Sequence, residues 1–166
     1  MKTILVTGGC GFIGSHTCIS LLKKGFNIAI VDSFINSSEK IMSKIKEVCF
    51  LENIEFENKI NLFKCDLRDT VKLRKIFCTY SNCDNDIESV IHFAGLKSVN
   101  DSINDPLEYW DVNISGTISL LRVMGENNCK TLVFSSSAAI YQANKFELLK
   151  ESSDILPSTP YGNTKA

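Results

Sequence analysis

Tyr161 and Lys165 stand four positions apart in Tyr161-Gly-Asn-Thr-Lys165. On a helix such positions share a face, so an ammonium would lie beside a phenol. A free tyrosine titrates at about 10, and a neighbouring cation favours its phenolate. That phenolate could take the proton of a substrate hydroxyl while hydride leaves the same carbon for a nicotinamide. Ser137 ends the run Ser135-Ser-Ser137 and could hydrogen-bond the same oxygen. Alone, a Tyr-x-x-x-Lys spacing is a common accident and a serine run is a common loop. Both gain meaning from what precedes them.

Near the other end, Gly8-x-x-Gly11-x-x-Gly14 overlaps Gly9-x-Gly11-x-x-Gly14. Three glycines permit a tight turn and a close backbone approach to a pyrophosphate. The free N–H groups and dipole of a following helix favour that anion. The loop follows a strand-like run, opens a helical pattern, and is trailed by Asp32 at the end of a second apolar run. An acidic residue about 20 positions on suits the adenosine ribose hydroxyls and repels a 2′-phosphate. No arginine lies between Asp32 and Arg68 to receive that phosphate, so NAD is expected rather than NADP. Asp66, past a third apolar run, could meet the adenine or cap the helix that begins near Thr70. Phe93-Ala94-Gly95, past a fourth, offers either a close backbone pass or a simple turn.

The elements that must carry these residues alternate. Apolar, β-branched runs at 2–7, 28–31, 59–64, 89–93 and 131–134 read as strands. Helical periodicity covers 13–24, 39–51 and 70–78, and a long helix is expected over 106–124 with Pro106 in its first turn. A last short helix begins at Pro160, with Thr159 as its cap. Continuous apolar strands separated by helices give an α/β fold: a Rossmann-type, doubly wound parallel sheet. Residues 33–39 and 142–159 are polar connectors, and the length of the second suggests a functional loop.

Composition narrows the partners. The 166 residues are expected to form one dinucleotide-binding domain; 44% are hydrophobic and 22% charged, and the net charge is −1. That balance gives no electrostatic case for nucleic acid or an anionic membrane. No apolar run approaches a bilayer's thickness, and the N-terminal stretch lacks a signal-peptide layout, so a cytoplasmic location is expected. Seven cysteines, without a Cys-x-x-Cys, and two histidines, His16 and His92, suggest free thiols and no metal site.

Thr7-Gly-Gly-Cys-Gly-Phe-Ile-Gly14, Ser135-Ser-Ser137 and Tyr161-x-x-x-Lys165 resemble the extended short-chain dehydrogenase/reductase family. Within it the chain is most similar to the UDP-glucose 4-epimerase branch. The carrying segments are Gly14-Ser-His-Thr-Cys18, Asp32 with Asn36-Ser37, His92-Phe-Ala-Gly-Leu-Lys97, Pro106-Leu-Glu-Tyr109, Asn113-x-x-Gly-Thr117 and Ser158-Thr-Pro-Tyr-Gly-Asn-Thr-Lys165. The resemblance implies a tightly held NAD and interconversion of UDP-galactose and UDP-glucose through a transient 4-keto sugar and bound NADH. It makes Tyr161 the base. Lys165 would tune it and hold the nicotinamide ribose, and Ser137 would assist. Gly8, Gly11, Phe12, Ile13, Gly14, Asp32, Asn36, Ser37, Asp66, Leu67, Phe93, Ala94, Gly95, Lys97 and Asn113 would line the cofactor. A UDP-sugar substrate and a homodimer joined through long helices are implied as well.

Ala139 stands where the branch usually has threonine, and Gln142 where it has glycine. The resemblance covers the cofactor half; the family's substrate domain would follow Ala166. The chain by itself is therefore expected to have little activity. A helix over 160–166 is also marginal in isolation and would fray. A non-catalytic NAD-binding module and a UDP-glucuronate epimerase remain alternatives. A 4,6-dehydratase is disfavoured, because Ala138 and Ala139 occupy the stretch where an acid must protonate the departing hydroxyl.

Overall fold

The computed structural model describes residues 2–81, 86–142 and 148–166. Five strands, β1 (Thr3–Thr7), β2 (Asn27–Asp32), β3 (Ile60–Lys64), β4 (Ile87–His92) and β5 (Thr131–Phe134), form one sheet in the order β3-β2-β1-β4-β5. Every pairing is parallel; in β1–β2, Thr3 faces Asn27 and Thr7 faces Val31. The expected doubly wound sheet is present, with strand bounds displaced by one or two residues. Helices α1 (Phe12–Lys23), α2 (Lys40–Leu51), α3 (Thr70–Ser81), α4 (Val99–Asn104), α5 (Pro106–Trp110), α6 (Gly116–Glu126) and α7 (Pro160–Asn163) fill the connections.

The chain divides into two compact units, Met1–Ala94 with Ser119–Phe134 and Gly95–Ile118 with Ser135–Ala166. The first holds the sheet. Successive residues of a strand point to opposite faces, and both faces here are apolar. Leu5, Ala29 and Val31 pack with Leu73 and Phe77 of α3 and Leu120 and Val123 of α6. Ile4, Val6, Ile28 and Ile30 pack with Cys18 and Leu22 of α1 and Ile45 and Cys49 of α2. Each such fully buried aliphatic contributes roughly 1.5–3 kcal/mol. These two cores hold the C-terminal ends of β1, β2 and β4 in register, which is where the first unit's polar loops begin. β5 is the exception: Val133 is 57% exposed on this edge strand.

The second unit corrects the sequence reading. Instead of one helix over 106–124, α5 ends at Trp110, a π-helical turn spans Asp111–Ser115, and α6 starts at Gly116. A single π turn of this kind interrupts an α-helix and re-aims the side chains within the turn. Here it directs Asn113 inward, where it is 4% exposed. α4 is a further element, with no counterpart among the expected helices. Ser98 caps it, accepting a hydrogen bond from the Asp101 N–H. Asp105 caps α5 through the Glu108 N–H.

Six cysteines lie among the described residues, all free thiols; Cys83 lies outside them, as do residues 143–147 of the long connector. Among the described residues no helix is long and apolar enough to cross a membrane.

Candidate functional site

In the first unit the chain rises along β1, turns through Gly8–Gly11, and enters α1. Gly8 has φ 67, in the left-handed region, and a Cβ there would stand 2.7 Å from the Ala94 backbone nitrogen. A Cβ on Gly14 would overlap the Gly8 carbonyl oxygen. The tight turn and the close helix–loop packing thus both require glycine. Gly11 is the N-cap of α1; it offers no side chain to the first-turn N–H groups, and that turn carries no acidic residue. Phe12 and Ile13 are exposed. Backbone donors at the open end of a twelve-residue helix, with no acidic residue in its first turn, fit an anion of the pyrophosphate type.

The loop is fixed to its neighbours by polar groups. Asp32, buried at the end of β2, accepts from the Cys10 N–H at 2.9 Å through Oδ2. Its Oδ1 accepts from the Phe34 N–H at 2.9 Å and the Ser37 hydroxyl at 2.7 Å. A carboxylate has about four acceptor positions, so one on Oδ2 is left for a ligand hydroxyl. Asp32 therefore positions the glycine turn. Asn36 is exposed beside it. On the other side, the Phe93 N–H bonds the Thr7 carbonyl at 3.0 Å. The Thr7 hydroxyl meets His92 Nδ1 at 2.6 Å and accepts from the Ala94 N–H at 3.3 Å. Thr7 and His92 are buried.

Asp66 is held by Arg68. Both its oxygens accept from the guanidinium, and Oδ1 also accepts from the Arg68 N–H at 2.9 Å. Those side-chain bonds hold the Asp66 carboxyl below the usual carboxylate range. The capping role weighed for Asp66 falls instead to Asp69, which accepts from the Lys72 N–H at 3.0 Å. Leu67 has its side chain in the core. The thiols nearby are inert: burial pushes Cys10 up to about 12 and Cys65 up to about 11.

The second unit carries the Tyr161–Lys165 segment. Pro160 starts α7, and the Thr159 hydroxyl accepts from the Gly162 N–H at 3.1 Å, as the cap was expected to do. α7 ends at Asn163, so Lys165 lies past the helix rather than on its face. Several hydrogen bonds tie this segment to the rest of the second unit. The Ser136 hydroxyl bonds the Lys165 carbonyl at 2.8 Å. Asn113 donates to the Thr164 hydroxyl at 2.9 Å. The same amide accepts from the Leu96 N–H at 2.8 Å and donates to the Leu96 carbonyl at 3.0 Å. Both of its amide donors are thereby used, along with one acceptor position of Oδ1.

Lys165 is buried, and burial pushes its ammonium below the ordinary lysine range. A Cβ on Gly95 would stand 3.5 Å from Lys165 Nζ and 2.9 Å from Asn113 Oδ1. Tyr161 is half-buried, with its ring edge-on to Tyr109 at 6.4 Å between centroids. Ser137 caps the 3-10 turn Ala138–Ile140 by accepting from the Ala139 N–H at 3.2 Å. Gly162 packs on that turn so closely that a Cβ would come within 2.5 Å of the Ala139 carbonyl. Lys97 is exposed.

Thr7, His92, Ser136, Gly162 and Thr164 were not singled out from the sequence as site residues. Gly162 and Thr164 sit inside the Tyr-x-x-x-Lys motif, where a small and a hydroxyl residue were the available signals. For Thr7 and His92, alternation within apolar strands signalled burial only.

The model of the GDP-mannose 4,6-dehydratase family matches residues 5–166. UDP-glucose 4-epimerase 4 of Oryza sativa subsp. japonica is 44% identical over 164 residues, covering 99% of this chain and 42% of its own length. The crystal structure of the UDP-glucose 4-epimerase from Stenotrophomonas maltophila, with bound NAD and formylated UDP-arabinopyranose, superposes with a TM-score of 0.86 at 36% identity. The match covers 99% of this chain and 46% of that one. The enzyme from Bifidobacterium longum, in complex with NAD+ and UDP, gives 0.86 at 37% identity over 98% of this chain and 45% of its own. The chain spans under half the length of these relatives.

Proposed function

The chain belongs to the GDP-mannose 4,6-dehydratase family, and from that premise we propose that it is the NAD-binding part of a UDP-glucose 4-epimerase. The observation that carries this reading is the glycine turn tied to Asp32 through the Cys10 N–H, beside relatives crystallised with NAD. Bound NAD supplies a reversible acceptor for the hydride at C4 of the sugar. The open N-terminus of α1 holds the pyrophosphate, and the remaining Oδ2 position of Asp32 accepts from the adenosine ribose. Asn36, Ser37, Asp66, Leu67, Phe93, Ala94, Gly95, Lys97 and Asn113 complete the lining, the core-packed Leu67 by its backbone.

Tyr161 takes and returns the proton of the C4 hydroxyl. Ser137 hydrogen-bonds the same oxygen, and Lys165 favours the phenolate and holds the nicotinamide ribose. Dehydratase chemistry fits this chain poorly, since Ala138 and Ala139 form the turn after Ser137 and supply no acid. A homodimer and a cytoplasmic location belong to the same reading.

Because relatives are about twice as long, the 166 residues alone are expected to bind NADH and turn over UDP-galactose scarcely at all. Without the rest of a sugar-nucleotide site, remote binding energy cannot orient the reacting carbon. A fusion of this chain to the remaining half of the rice relative is the test. It should convert UDP-galactose to UDP-glucose, and Tyr161→Phe should slow it by about 10²–10⁴-fold. A folded fusion that binds NADH without turnover would instead favour a non-catalytic NAD-binding module.

A further inference from the structure

Thr164 lies between the two residues assigned to the chemistry and has no assigned part in it. It is 3% exposed. Its hydroxyl donates to the Tyr161 carbonyl at 2.8 Å and accepts from Asn113 Nδ2 at 2.9 Å. Asn113 in turn grips both backbone groups of Leu96. The residue before Leu96 is Gly95, whose missing side chain leaves the space beside Lys165 Nζ. One hydroxyl thus joins the end of α7 to the turn against which the lysine ammonium rests.

A threonine whose side chain serves only its own helix would bond a carbonyl one turn back and stop there. This one has a second partner, an amide 51 positions away and already committed on its other bonds. Removing the hydroxyl leaves an Asn113 N–H buried without an acceptor. That loss is relieved by letting the segment draw away from Leu96. The residue that moves with it is Lys165.

We propose that Thr164 is a positioning residue whose hydroxyl sets the Lys165 ammonium against the Gly95–Leu96 turn. This rests on Lys165 having the role assigned above, but it is read without turnover or cofactor.

The test is competitive acetylation of the folded 166-residue chain across a pH series, with Lys165 followed by peptide mass spectrometry. In the native chain Lys165 should titrate below the ordinary lysine value of 10.5, in keeping with its burial. In Thr164→Val and Thr164→Ala, which lose the hydroxyl with different bulk, its midpoint should rise by about half a unit or more. Its limiting rate should rise too. Thr164→Ser should restore the native midpoint. Folded Val and Ala variants with an unchanged Lys165 midpoint would overturn the proposal, as would a shift that serine does not reverse. Unfolding of both variants would also overturn it, since the hydroxyl would then hold the unit rather than place one ammonium. Failure of the chain to bind NADH would strike the functional reading and leave this result standing.

Discussion

The first unit shapes its loop mainly with backbone, whereas the second places its reactive residues with side-chain amides and hydroxyls. Around Gly8–Gly14 the geometry follows from absent side chains: a Cβ at Gly8 or Gly14 has no room. Around Tyr161–Lys165 it follows from Asn113, Thr159, Thr164 and Ser136, each making a specific hydrogen bond. A backbone turn tolerates change only where the missing atoms stay missing. A side-chain network fails one bond at a time and can be repaired by a residue with the same donor or acceptor.

That contrast is most exposed at Gly14. Gly14→Val should cost at least about tenfold in NADH affinity, or about 1.4 kcal/mol, because the side chain collides with the Gly8 carbonyl. Fluorescence titration of NADH reads it. Native affinity in the variant would show that the turn is not set by close packing.

Next in size is Asn113→Leu, which leaves the Leu96 N–H and carbonyl unpaired in the second unit. A loss of about 1–3 kcal/mol is expected, seen as a melting temperature lower by roughly 2–4 °C per kcal/mol. Asn113→Asp keeps the acceptor for the Leu96 N–H and should recover part of it. Gly162→Ala tests the one place where the second unit also relies on an absent side chain. The collision with the Ala139 carbonyl should outweigh the gain of about 1 kcal/mol in helix propensity and leave the protein less stable.

The smallest effect belongs to Asp66. Its folded carboxyl is depressed by the Arg68 bonds. The stability it contributes is therefore present above the unfolded value of 3.8 and fades as pH falls through the lower folded value. Asp66→Asn should flatten that acid limb of the melting-temperature profile and leave the neutral region nearly unchanged. An identical acid limb in the variant would mean the Arg68 pair contributes nothing measurable.

The same contrast explains what could be read in advance. Strands β1 to β5 and helices α1 to α3 announce themselves through apolar periodicity, because the two-faced core demands it. The glycine turn and Asp32 are local in sequence, so their spacing was legible. The π turn at Asp111–Ser115 was not, since its residues continue a helical pattern. What supports the irregularity is Asn113 reaching Leu96, a contact that no local window contains. α4 was missed although Ser98-x-x-Asp101 is a capping signature; six helical residues offer too little periodicity to notice. Asp66 was legible either as an adenine contact or as the α3 cap; the cap is made by Asp69 instead, while Asp66 is taken up by Arg68.

The proposed function depends most on Asp32 serving both the glycine turn and an unphosphorylated ribose. NADH and NADPH should therefore be titrated side by side into the native chain and into Asp32→Ala. The native chain should bind NADH at least about tenfold more tightly than NADPH, and the variant should lose affinity for NADH together with that preference. Equal affinity for the two nucleotides in the native chain, or an unaltered preference in Asp32→Ala, would contradict it.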